Sequence, residues 1–225
     1  MKTTAIIPAA GSGTRMGQPK QFLMLGDMPV LAHTLRAFSR AESVDEVIVA
    51  DREEDILLIW DMVTEFSISK VSKIVNGGET RTDSVRAAFR EVADNVEIIA
   101  IHDGARPFVT PRIIQAVVEK TYQTGAAIVA TRLTDTLKKI NADGQVETTL
   151  DRNAFWRVQT PQGFSREIIL EAYAQPSDIL AAATDDSMLV ERLGYAVHVV
   201  EGEAENFKIT TPFDFVCAEA LSHSV

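Results

Sequence analysis

Cysteine is nearly missing from this chain. Cys217 stands alone, which excludes an intramolecular disulfide and a cysteine-ligated metal centre, and within its helix-like run it reads as a small core residue. No apolar run approaches 18 residues, so no membrane-spanning helix is expected. The start, Met1-Lys2-Thr3-Thr4, enters a strand at once and leaves no space for a signal or transit peptide, so a soluble, cytoplasmic protein is expected. Positive charge is scarce as well: 22 Lys and Arg stand against 32 Asp and Glu, a formal net charge of −10. That balance denies nucleic acid a general basic surface, and any anionic ligand must be met by a local cluster of cations. Internal repeats and low-complexity tracts are lacking too. What remains is 225 residues at 46% hydrophobic content, enough to bury a core as one domain over 1–225, with no compositional break to suggest a linker.

The most informative stretch runs from Pro8 through Ala9, Ala10, Gly11, Ser12, Gly13, Thr14, Arg15, Met16, Gly17, Gln18 and Pro19 to Lys20. It follows the short apolar strand Thr4 to Ile7 directly. Small residues there let backbone N–H groups approach phosphate oxygens, while Arg15 and Lys20 add positive charge, so the stretch reads as a triphosphate cradle. Its spacing fits neither common glycine loop. A dinucleotide fold needs Gly-x-Gly-x-x-Gly opening a helix and an acid about 20 residues on; here the third glycine comes one position late, Pro19 interrupts, and Asp51 comes far too late. The Walker pattern is missing as well. The plain alternative is a surface loop with two solvated cations.

Apolar runs at 45–50, 73–76, 97–102 and 126–131 read as further strands, separated by helical periodicity. Ile56, Ile59, Trp60 and Val63 mark one helical face, and Leu31, Leu35 and Phe38 another. Thr110-Pro111 and Thr211-Pro212 read as helix starts, with Asp214 completing a capping box. The alternation implies an α/β fold: a Rossmann-like, mostly parallel twisted sheet with helices on both faces. Ligands then belong at the carboxyl ends of the strands, where Ala9 to Lys20 and Asp103 fall. Asp103 is the candidate ligand for magnesium, because a hard divalent cation commonly takes one or two carboxylates together with substrate phosphates. A turn-making Asp-Gly pair is the alternative. His102 reads as a packing residue at the strand end, since no other histidine has metal-site spacing with it.

One segment breaks the alternation. Thr134 to Ile140 and Gln145 to Leu150 flank the hairpin signal Asn141-Ala142-Asp143-Gly144 and carry few core-forming residues. It reads as an arm, residues 133–153, whose seven-residue strand reaches roughly 20 Å, more than a lone hairpin sustains. A partner subunit is the expected support; a solvated hairpin on a monomer is the alternative.

Taken together, Gly11 to Lys20 resembles the signature of sugar-nucleotide pyrophosphorylases and cytidylyltransferases. Pro19-Lys20-Gln21-Phe22-Leu23 is similar to one branch, the 2-C-methyl-D-erythritol 4-phosphate cytidylyltransferases. The blocks Gly77 to Val85, His102 to Pro107, Thr160-Pro161-Gln162, Thr184-Asp185-Asp186 and Glu205 to Thr210 resemble that branch in the same order, across nearly the whole chain. The resemblance implies transfer of CMP from CTP to methylerythritol phosphate in non-mevalonate isoprenoid precursor synthesis. CTP is the implied co-substrate and Mg2+ or another divalent cation the cofactor. It implies catalytic roles for Arg15, Lys20 and Lys208. The nucleotide is expected against Ala9, Ala10, Gly11 and Gly13, and its base against Gly78 and Ser84 with Arg81 nearby. Glu79 stands where the family often has aspartate, and helix capping by Thr80 or Thr82 is the competing reading of that block. The second substrate is expected at Asp103, Arg106, Thr136, Arg152, Thr160 and Lys208. A comparable arm in the family embraces the other protomer and completes its site, so a homodimer is expected. Thr184 to Asp186 is explained as well by an N-cap with acids in the first turn, and stays outside the expected site.

A triphosphate near −4 and a monophosphate near −2 at about 5 Å repel by several kcal/mol even in water, so cations and a metal are needed. The attacking phosphate is already ionised, which removes the need for a general base or a protein nucleophile. Other readings stay open: a ribitol 5-phosphate cytidylyltransferase, a nicotinamide-dependent reductase, and a non-catalytic nucleotide-binding regulator.

Overall fold

The computed structural model describes residues 2–11 and 19–222. In chain order the strands and helices are β1 (Thr3–Pro8), β2 (Met24–Leu25), β3 (Met28–Pro29), α1 (Val30–Arg40), β4 (Glu46–Asp51), α2 (Ile56–Glu65), β5 (Val71–Asn76), α3 (Arg81–Phe89) and β6 (Ile98–Ile101). There follow α4 (Pro111–Thr124), β7 (Ala126–Arg132), β8 (Leu137–Ile140), β9 (Val146–Leu150), β10 (Trp156–Ser165), α5 (Arg166–Tyr173), α6 (Ser177–Ala182), α7 (Asp186–Arg192), β11 (His198–Glu201) and α8 (Pro212–Ser222).

Among the described residues the central sheet has seven strands in the order β11-β7-β10-β6-β1-β4-β5. All its pairings are parallel except those of β10, which runs antiparallel to both β6 and β7. β10 went unread in the sequence because it contains Pro161, which cannot donate to a ladder. The structure places that proline in a register shift between Val158 and Gln162, where the pairing with β7 is interrupted.

Alternation along each strand divides the core. Ala5 and Ile7 of β1 face a cluster that includes Leu31, Leu35 and Phe38 of α1, Ile59 and Val63 of α2, and Val117 of α4. Ile6 faces the opposite cluster, with Val85 of α3, Ile169 of α5 and Leu189 of α7. Strands buried on both faces read as continuous apolar runs, which is why they were visible in the sequence. A third cluster, Leu25, Val30, Ile209 and Ala218, fastens α8 to the body. Thr110 caps α4 ahead of Pro111, and Thr211 and Asp214 exchange backbone hydrogen bonds at the start of α8. Cys217 on α8 is half-buried rather than a core residue.

From β1 the chain moves outward through β4 and β5, then returns to place β6 on the other side of β1. The crevice at the carboxyl ends of β1 and β6 is therefore the topological switch point. The hairpin of β8 and β9 forms a separate two-stranded sheet with no buried residue in either strand. Its strands are shorter than the sequence suggested, four and five residues, or about 13–17 Å. Ile140 and Val146 are 50% and 58% exposed on it.

Candidate functional site

A cavity of about 270 Å³ opens at the switch point. The turn after β1 supplies Ala9, Ala10 and Gly11; the turn before α1 supplies Lys20 and Gln21; and the loop into α3 with the first turn of that helix supplies Gly78, Arg81 and Ser84. Asp103 follows β6, and Lys208 comes from the segment before α8. Nine of the expected site residues thus converge from five stretches of chain. Arg15 and Gly13 lie outside the described residues.

The loop from Gly77 to Ser84 is shaped by close packing. A Cβ on Gly78 would lie 2.2 Å from that of Asp83, so no larger residue fits without moving the backbone. Gly78 N donates to Ser84 Oγ at 3.2 Å, and Ser84 Oγ donates to the Thr80 carbonyl at 3.0 Å. Thr80 meanwhile caps α3 by accepting from Asp83 N. Capping and cavity lining coexist in one turn.

Asp103 is the electrostatic centre. Its Oδ1 lies 3.0 Å from Arg81 Nε, and its Oδ2 lies 3.1 Å from Lys208 Nζ and 3.4 Å from Arg106 Nε. Burial pushes its pKa up, but Arg81, Lys208 and Arg106 outweigh burial and hold the carboxyl well below the usual carboxylate range. Asp103 is thus ionised and already surrounded by cations. Its backbone N–H donates to Thr160 Oγ1 at 3.1 Å, and that hydroxyl lies 3.1 Å from His102 Nδ1. With His102 Nε2 donating to the Arg106 carbonyl, Nδ1 is left as the acceptor for Thr160. Burial lowers the His102 pKa to about 3, and Arg106 adds to the effect, so the imidazole is neutral and structural. Thr160 itself is buried behind Asp103, away from the cavity lining.

Lys208 is seated by its neighbours. Asn206, fully buried, donates to Gln159 Oε1 and the Thr160 carbonyl, while its own carbonyl accepts from Arg106 Nη1 at 2.8 Å. Ile209 N then donates to the Ala105 carbonyl at 2.9 Å. Lys20, also on the cavity lining, acts on Asp214 of α8. Burial raises that carboxyl, but N–H bonds from Thr211 and Thr210 and the Lys20 charge bring it below its ordinary value.

The structure adds one site residue that the sequence reading set aside. Asp186, 1% exposed, grips Arg81 through both guanidinium nitrogens at 3.0 and 2.7 Å, and Tyr173 donates its hydroxyl to the same carboxylate. Asp185 does cap α7, accepting from Met188 N, and it also accepts from Gln162 Nε2 at 2.8 Å. The acid-rich turn is therefore both a helix cap and the anchor of Arg81. Nothing in the local sequence marks a partner 105 positions away.

Two expected residues stand elsewhere in the chain. Thr136 and Arg152 are exposed at the arm; Arg152 donates to the Thr134 carbonyl and lines a separate cavity with Arg132 and Leu133. Among the described residues, no group of three His, Cys, Asp or Glu side chains is arranged to hold a metal ion. Asp103 nevertheless suits a divalent cation that draws its remaining ligands from phosphates and water, since its ionised carboxylate lines the cavity. Among the described residues, no helix is long and apolar enough to cross a membrane.

Comparison with known proteins decides the family. The family model described as "IspD: 2-C-methyl-D-erythritol 4-phosphate cytidylyltransferase" matches residues 3–224. The chain belongs to this cytidylyltransferase family. A relative of that name from Syntrophus aciditrophicus is 44% identical over 223 residues, covering 98% of this chain and 95% of the relative. One from Bacillus cereus is 42% identical over 222 residues, covering 98% and 97%. Among solved structures, the 4-diphosphocytidyl-2C-methyl-D-erythritol synthase of Anaerococcus prevotii superposes with a TM-score of 0.87 at 33% identity, over 99% of this chain and 96% of that one. The cytidylyltransferase of Thermus thermophilus gives 0.80 at 36% identity, over 99% and 100%. The resemblance noted from motifs therefore extends to the whole fold.

Proposed function

We propose that this cavity is where the chain, as a member of the cytidylyltransferase family, transfers CMP from CTP to 2-C-methyl-D-erythritol 4-phosphate. The observation that carries the reading is the convergence of Lys20, Arg81 and Lys208 around the buried Asp103 at the switch point of the sheet. A chain of net charge −10 has gathered its cations where phosphates must meet.

The acceptor's phosphate oxygen attacks the α-phosphorus of CTP in line. The bond from the α-phosphorus to the bridging oxygen breaks, and pyrophosphate leaves with the electron pair. The attacking oxygen is already ionised, so no protein base is required, in keeping with the neutral, buried state of His102. Lys208 is held at Asp103 before substrate arrives, and Lys20 lines the same cavity, so charge stabilisation is built in advance. Arg15 shares this role in our reading. Bound Mg2+ would neutralise triphosphate charge, and Asp103 is the residue that would hold it. Ala9, Ala10, Gly11, Gly78 and Ser84 offer the backbone approach and small side chains that a nucleotide needs, while Arg106 and Thr160 support Asp103 from behind.

We read the arm as the dimer contact of a single-domain subunit. Exposed Ile140 and Val146 need cover, and Thr136 and Arg152 lie off their own chain's cavity, as residues serving a partner's site would. The substrates are soluble metabolites, which favours the cytoplasm. Pyrophosphate release is the test, run with CTP and methylerythritol phosphate, with and without magnesium, beside ribitol 5-phosphate and other nucleotides. Release confined to CTP, methylerythritol phosphate and magnesium supports the whole reading; preference for ribitol phosphate changes the acceptor. For the arm, Arg152→Ala and Lys20→Ala proteins are mixed, and recovered activity in exchanged dimers supports shared sites.

A further inference from the structure

Behind the cavity lies a buried polar pair that the chemistry above does not use. Asp51 ends β4 and is fully buried; Gln21, next to Lys20, is 2% exposed and lines the cavity. Gln21 Nε2 lies 3.5 and 3.4 Å from the two carboxylate oxygens of Asp51. An ionised carboxylate only accepts, so it dictates which end of the carboxamide faces it: nitrogen toward Asp51, oxygen away. That oxygen, Gln21 Oε1, is buried and has no hydrogen-bond partner among the described residues. The same strand end also ties down the other loops. The Asp51 carbonyl accepts from Gly77 N at 2.7 Å, and the Ala50 carbonyl accepts from Ala9 N at 2.8 Å.

We propose that Asp51 is a positioning residue: in its ionised form it orients the Gln21 carboxamide and thereby sets the direction in which Lys20 enters the nucleotide cavity. The inference rests on the reading of that cavity as the CTP site. Lys20 and Gln21 share one 3-10 turn, closed by Leu23 N donating to the Lys20 carbonyl, so a constraint on one side chain passes to its neighbour. The contacts to Asp51 are long, so their strength depends on the carboxylate charge. Burial pushes Asp51 up to about 6. Asp55 adds to the rise, while the Arg52 N–H and charge and the Gln21 amide oppose it. The orienting charge is therefore present at pH 8 and lost below pH 6.

The test compares kcat/KM for CTP in the wild type and Asp51→Asn from pH 5 to pH 8.5, at saturating acceptor. Ionisations of the substrates are common to both proteins and cancel in the ratio. The wild type is expected to exceed the variant by about 5- to 10-fold at pH 8, the size of one modest charge-assisted hydrogen bond, and to match it by pH 5. In a Gln21→Ala background, Asp51→Asn is expected to add no further loss. A ratio that stays constant with pH, or losses that multiply in the double variant, overturns the proposal. Should the protein bind CTP but release no pyrophosphate with any acceptor, the assigned reaction fails. CTP affinity across the same pH series then tests the positioning role separately.

Discussion

Replacing Asp51 with Asn should make this protein more stable, and the gain should appear only above acid pH. Asp51 is completely buried at the end of β4, and burial raises its pKa to about 6. The ordinary aspartate value is near 4, so the folded state binds this proton more tightly than the unfolded chain does. Below pH 4 both states carry the proton and the residue behaves like the neutral amide. Between pH 4 and 6 the unfolded chain releases the proton while the folded protein keeps it, so stability falls relative to the variant, and above 6 the folded protein holds the buried charge at a constant cost. A difference of about two pH units corresponds to about 3 kcal/mol, a ceiling that relaxation around the site will reduce. For a chain of this length, 3 kcal/mol corresponds to a shift of about 6–12 °C in melting temperature. Thermal unfolding of both proteins from pH 4 to pH 8 is the assay. The curves should coincide near pH 4, separate between pH 4 and 6, and run parallel above. A gap independent of pH, or a less stable variant at pH 8, would falsify the linkage argument. The same substitution is expected to weaken catalysis, so the buried charge is a case of stability given up for an oriented loop.

Other perturbations probe the remaining layers. Lys20→Ala should lower kcat on the order of 10²-fold or more with an unchanged far-UV spectrum, by analogy with a lost oxyanion donor; near-normal turnover would remove Lys20 from the chemistry. Asp186→Ala deprives the Arg81 fork of its bidentate partner, and should cost about 2–4 kcal/mol in denaturant unfolding because Asp103 and partial solvent access compensate only in part. It should also raise KM for CTP, whereas Tyr173→Phe should cost about 1 kcal/mol with KM little changed. Phe38→Ala empties a fully buried position against the His102 ring, and a loss of about 3–5 kcal/mol is expected from urea titration.

The site is a charge network assembled from distant segments. Asp103 accepts from Arg81, Lys208 and Arg106, and Arg81 is gripped in turn by Asp186. Among the described residues, Arg81, Arg106 and Lys208 therefore each have a protein anion to hold them. Pre-orientation of this kind lowers the reorganisation needed when charge develops on the leaving group.

Local physics was legible in the chain. Buried strands showed as apolar runs, α1 and α2 as periodic faces, and the starts of α4 and α8 as caps followed by proline, because each signal depends on residues within a few positions of one another. The glycine-rich stretch after β1 and the Asp103 turn after β6 could be assigned to the ligand edge for the same reason: a strand's carboxyl end carries its own loop. Pairings across sequence were not legible. β10 was missed because a proline that argues against a strand is tolerated in a bulge, which only the neighbouring β7 defines. Asp186 looked like a helix acid because its partner, Arg81, lies on another helix and is reached only after both pack on the same face of the sheet. Asp51 ended a strand with no sign that Gln21 would meet its carboxylate. Sequence alone determined most of the elements apart from β10, the ligand edge and the kind of chemistry, since these follow from local patterns and residue type. Tertiary structure alone decided which charges face one another and which are buried, because burial and Coulomb energy depend on distance in space rather than along the chain.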